Sequence, residues 1–238
     1  MSQHAAPVAR PAPPRRPGDR GGRSWLVPAA LVALGTVPVV AGSLRLVQLS
    51  GGAATLPSDA RYDASPLPVV VHIVSAAVFA IVGAFQFSPQ IRRRHPGWHR
   101  RAGRALLLAG LGVALSALWL NQFFPKADAT REVLYPLRLA FGLAMVLTII
   151  LGLLAARRRD FTSHRTWMIR SYAIGLVAGT QVLTLGFGGA VFGSADLTTA
   201  LLMAAAWAIN LAVAELAIGR RTSWSRRTPT RTRLAASR

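Results

Sequence analysis

The chain has 238 residues, of which 52% are hydrophobic and 15% charged, yet its formal net charge is +20. A soluble domain this apolar lacks the surface to carry such charge, so the apolar residues are expected in lipid with the charges flanking them. The absence of cysteine excludes disulfides, thiolate metal sites and cysteine nucleophiles. Of the basic residues only Lys126 is a lysine, and no nucleic-acid-binding motif accompanies the arginines, so nucleic acid is not expected as a partner.

Residues 1–24, rich in Pro and Arg, read as a disordered basic tail near anionic lipid. Six apolar stretches follow, at Trp25–Leu49, Leu67–Phe87, Ala105–Phe124, Leu137–Ala156, Met168–Phe192 and Leu197–Ile218. Each meets or approaches the roughly 20 residues that cross a bilayer core. None alternates like a strand, so the fold predicted is all-α, an integral membrane bundle of six transmembrane helices over residues 25–218. Residues 219–238 form a second disordered basic tail in this reading. A competing reading takes the first stretch, ending in Ala41-Gly42-Ser43, as a signal peptide, but both the run and its basic prefix are long for one.

Arginine placement sets the orientation. Of the 28 basic residues, 23 fall in the N-terminal tail, the second-to-third connection (Arg92 to Arg104), the fourth-to-fifth connection (Arg157 to Arg170) and the C-terminal tail. With six spans these segments share one side. The positive-inside rule makes that side cytoplasmic, with both termini there, in a bacterial inner membrane whose anionic headgroups are the expected partner. Ala76, Ala80 and Ala84, and the pair Gly175 and Gly179, are small-residue faces. They suit close helix packing within one chain or between two copies.

The second span, its loop and the third span echo the fourth, its loop and the fifth. Each unit turns through an arginine-rich loop into His-Arg: His99-Arg100 with Arg104, and His164-Arg165 with Arg170. Such an echo suits a parallel repeat of two helical hairpins. The pattern His72, Gly83, Gln86-Phe87, His99-Arg100-x-x-Gly103-Arg104, Arg138 and His164-Arg165-x-Trp167-Met168-x-Arg170 resembles the bacterial membrane family filed as domain of unknown function 2306. The resemblance covers about residues 67–192. It implies a polytopic membrane protein and carries no assigned reaction or substrate.

Two polar groups follow from depth. His72, Arg45 and Arg138 lie toward the outer face, where they suit either an outer pocket for an anionic or carbonyl group, or a satisfied histidine and two arginines reaching for headgroups. His99 and His164 open different spans at similar depth. They suit a b-type haem with Arg104 and Arg170 on its propionates, a quinone, or interfacial anchoring in which they cap helix starts or touch lipid phosphates. Haem has only this one pair to use, since His72 lies about 22 Å away along the axis. His95 and His99 are four apart, but Pro96 opposes helix through His95, and no metal site or catalytic residue is assigned. Glu215, near the inner end of the sixth span, is expected to pair with an arginine or to reach the interface. Broken-helix signatures and intramembrane acids look scarce, which least favours transport. Two functional classes stay open: a redox or quinone-binding membrane protein, and a non-enzymatic lipid-binding, transport or assembly component with structural histidines.

Overall fold

The computed structural model describes residues 25–57, 62, 65–124 and 131–227, so the N-terminal tail and the last eleven residues lie outside the described part. Every regular element described is helical: α1 (Leu26–Leu49), α2 (Leu67–Gln86), α3 (Pro89–Arg94), α4 (Pro96–Phe123), α5 (Arg131–Arg157), α6 (Phe161–Gly175), α7 (Val177–Phe192) and α8 (Asp196–Arg227). Five helices are each long and apolar enough to cross a bilayer, and α6 and α7, bent by 45° at the break between them, pass the same test as a pair, which gives six spans where that pair counts as one. No more than 28% of any single-helix span is buried within the chain, so most of its apolar side chains keep accessible surface. That is the distribution lipid permits and water opposes.

Local chemistry sets the helix ends. Ser88 accepts from the Ile91 amide and Pro89 opens α3. His95 breaks the backbone between α3 and α4, and Pro96 opens α4. Asp160 caps α6 by accepting from the Ser163 amide at 3.0 Å. The N-cap positions are therefore His95, whose side chain makes no capping bond, and Asp160, and neither His99 nor His164 occupies one. α5 ends in a reverse turn in which the Arg159 amide donates to the Ala156 carbonyl and the Asp160 amide to the Ala155 carbonyl. Arg159 there has φ of 61°, in the left-handed region where a β-carbon costs about 1 kcal/mol and glycine is usual.

The helices pack in the spatial order α1, α2, α4, α5, α6, α8, α7, with α7 returning to α1 and α2 also touching α6. The core is Phe79, Val113, Met145, Ile149, Tyr172, Leu176 and Trp207 with their neighbours. Small residues admit this packing. A β-carbon on Gly83 would strike the Tyr172 ring, and one on Gly179 would strike the Leu34 backbone carbonyl. Trp25 at the start of α1 meets Phe85 at the end of α2, which puts the first span's beginning beside the arginine-rich connections.

One element departs from the sequence reading. The stretch Met168–Phe192 reads as one straight span, but the helix breaks at Leu176. Asn210 on α8 compensates the break, donating Nδ2–H to the Ala173 carbonyl at 2.9 Å and accepting from Thr180 Oγ at 2.7 Å. A polar side chain from a third helix thus satisfies backbone that lipid could not. The expectation that broken helices are scarce is corrected at this point.

Candidate functional site

The end where α2 stops and α4 and α6 begin carries the arginine-rich connections. α2 and α4 run antiparallel: His72 meets Ser116, and a β-carbon on Gly112 would meet Ser75. That register places His99 level with Ser88, just past the end of α2. α4 also runs antiparallel to α5, with Gly110 against Ile149 and Gly142 against Leu118, so His99 stands level with the start of α6, where His164 lies, and the two histidines share one end.

Their hydrogen bonding differs. His164 donates Nδ1–H to the Gly152 carbonyl at 2.8 Å, which leaves Nε2 as an acceptor. His99 Nδ1 is buried with no partner among the described residues, and so are Gln86 Nε2 and Ser171 Oγ. Ser171 is 1% exposed and stands two turns beyond His164 on one stripe of α6, the stripe that meets Gly152 through Met168. Gln86 is the last residue of α2, one turn past Gly83. From Ser171 to His99 these groups span about 8 Å of bundle depth at 1.5 Å per residue. Most buried polar atoms in native proteins are paired, so these three stand out as the polar groups at this end that the described residues leave unsatisfied.

The inner side of this region is closed by Tyr172. Its ring lies 4.9 Å from Phe87 and 5.6 Å from Phe79, and its hydroxyl donates to the Ala80 carbonyl at 2.7 Å. Among the arginines expected to help, Arg104 is exposed. Arg170 is committed elsewhere: Nε and Nη2 fork onto Glu215 at 2.6 and 3.0 Å, and its guanidinium lies over Trp167 at 4.9 Å. The ion pair anticipated for Glu215 is therefore with Arg170, partly exposed at 29% and 50%, where such pairs contribute at most about 1 kcal/mol.

At the opposite end the expected residues take separate partners. Ser116 gives its single hydroxyl hydrogen to the Gly112 and Val113 carbonyls, so His72 Nδ1 is the donor in its 3.0 Å bond to Ser116 Oγ. Arg45 donates to Gln48 Oε1 and to the Pro57 carbonyl and lies over Tyr62, which ties the loop after α1 to its own helix. Arg138 is half-buried on α5.

A family model described as "Predicted membrane protein (DUF2306)" matches residues 69–218. The chain belongs to this family. The match takes in α2 through most of α8, including every candidate residue except Arg45. No curated protein and no solved structure matches the chain. Family membership thus establishes a multi-pass membrane protein, and the chemistry rests on the residues just described. Sequence reasoning missed Ser171 and Ser116. Spacing could have exposed Ser171, seven residues after His164 and so on its face of the helix.

Proposed function

We propose that this protein binds a lipid-soluble molecule with carbonyl oxygens on its head, of the quinone type, at its arginine-rich end. The observation that carries the reading is the set of buried, partnerless groups on three helices: Gln86 Nε2, His99 Nδ1 and Ser171 Oγ. An amide N–H and a hydroxyl with no acceptor call for a ligand that brings acceptors, and quinone carbonyls do so. His164 Nε2 offers the complementary acceptor for a protonated head. Tyr172 with Phe79 and Phe87 floors the site, so a head enters from the adjacent headgroup region while an apolar tail stays in lipid.

A b-type haem between His99 and His164 gains less support. The His164 tautomer suits a ligand, but Arg170, needed for a propionate, is already held by Glu215. The non-enzymatic alternative draws support from His72 and His164, each of which fastens two helices together. We further propose that the arginine-rich end faces the cytoplasm of a bacterium, from the arginine asymmetry of the connections.

Solvent extraction of purified protein, followed by chromatography, tests the reading. The expected result is roughly one quinone per chain, by the ordinary one-site stoichiometry of such pockets, lost in Ser171→Ala with Gln86→Leu. Oxidised and reduced visible spectra of the same sample separate haem, which gives a Soret band lost in His99→Ala and His164→Ala. An extract without quinone and a colourless preparation would favour the non-enzymatic class.

A further inference from the structure

The turn between α5 and α6 carries a feature the proposed ligand does not use. Arg159 occupies the left-handed position of a helix-ending turn, where glycine is unstrained, and its neighbours Arg157 and Arg158 are exposed with it. An arginine at a position where glycine would be unstrained places its charge at the exposed tip of the turn at a cost of about 1 kcal/mol. Across the foot of α4, the last turn of α3 exposes Arg92, Arg93 and Arg94. α4 runs antiparallel to α5, with Gly110 against Ile149 and Gly142 against Leu118, which sets the foot of α4 level with the α5–α6 turn and puts both arginine groups at one end of the bundle.

Nothing described there neutralises them. Asp160 is turned to its own helix, accepting from the Ser163 amide, and Glu215 is taken by Arg170. Exposed aromatics stand at the same level: Phe161, 67% exposed, follows the turn, and Trp98, 40% exposed, opens α4. Arginine forks beside exposed aromatic rings at the end of a lipid-facing span match the phosphates and acyl boundary of a leaflet.

We infer that Arg92–Arg94 and Arg157–Arg159 form a docking site for an anionic phospholipid headgroup, held independently of the quinone-type ligand. The test uses the full chain in nanodiscs of phosphatidylcholine with or without phosphatidylglycerol, read by thermal unfolding and by lipid retention in native mass spectrometry. Wild type is expected to melt higher with phosphatidylglycerol and to retain it selectively. Arg159→Gly relieves the turn, so it is expected to melt higher than wild type in pure phosphatidylcholine yet gain less from phosphatidylglycerol. That opposition is one that general destabilisation cannot imitate. Adding Arg157→Gln and Arg158→Gln is expected to weaken phosphatidylglycerol retention roughly tenfold. Equal responses of the triple variant and wild type would overturn the site. Stabilisation of the detergent-solubilised chain by inorganic phosphate, matching that by the lipid, would overturn the assignment to lipid.

Discussion

Asn210 donates its Nδ2–H to the carbonyl of Ala173, 2.9 Å away on a different helix, at the point where the fifth span bends. The same amide accepts from Thr180 beyond the break, so one side chain on α8 holds both α6 and α7. Asn210→Leu removes both bonds and leaves a backbone carbonyl facing apolar surroundings. It is expected to lower stability by about 1–2 kcal/mol, and Thr180→Val by about half of that. Thermal unfolding in detergent checks the order, and equal melting of all three proteins would show that the bend does not need Asn210.

The bond from His72 to Ser116 predicts a second fastening. Ser116→Ala deletes the acceptor and leaves the His72 N–H to compete for the Val113 carbonyl, with an expected loss of about 0.5–1.5 kcal/mol. Because His72 takes its partner at the far end of α2, this change is expected to leave ligand binding at the arginine-rich end unaltered. A matching loss of binding would place His72 in the site.

Glycines separate packing from mere composition. Gly179→Ala drives a β-carbon into the Leu34 backbone carbonyl, which cannot swing aside, and is expected to cost about 1–3 kcal/mol. Gly186→Ala on the same helix meets open space and is expected to be neutral or stabilising by up to about 1 kcal/mol. Melting of the two single variants checks the contrast, and equal effects would mean that α1 and α7 do not approach as closely as described.

How much of this was legible follows from what each feature depends on. The spans and the shared end of the arginine-rich connections are written in composition, because lipid imposes them on any apolar run of sufficient length. That His99 and His164 share one end follows from each standing near the start of a helix just after an arginine-rich connection. The bend at Leu176 was hidden, because Met168–Phe192 is apolar throughout and the residue that compensates the break lies on another helix. Gly175 and Gly179 read as a packing face, and both are packed closely, Gly175 against Phe79 and Met145 and Gly179 against Leu34. The division of labour among the polar residues was also hidden. Arg170 could be placed near the depth of the two histidines, but its pairing with Glu215 depends on how α6 meets α8. Ser171 looked like an ordinary span residue until its hydroxyl was found buried without a partner.

Asp160 gives a pH dependence outside the spans. Hydrogen bonds from the Ser163 side chain and amide hold its carboxyl below the usual range. A depressed folded pKa contributes stability that is complete above the unfolded value near about 4 and is lost as pH falls through the folded one. The first turn of α6 is therefore expected to exchange its amide hydrogens faster, relative to intrinsic rates, below that range. Asp160→Ala is expected to show the faster exchange at neutral pH already, with no further acid response at this turn. An unchanged acid response in that variant would assign the effect to another group.

The most direct test of the account is a titration of short-chain quinone into the protein in neutral-lipid nanodiscs, followed by quenching of tryptophan fluorescence, in wild type and in Gln86→Leu, His99→Leu and Ser171→Ala. Each of the three is predicted to weaken binding by about 5- to 30-fold, the effect of removing one hydrogen bond worth about 1–2 kcal/mol, while His72→Leu leaves it unchanged. Saturable quenching that is equal in all five proteins, or no saturable quenching in wild type, would contradict the proposed site.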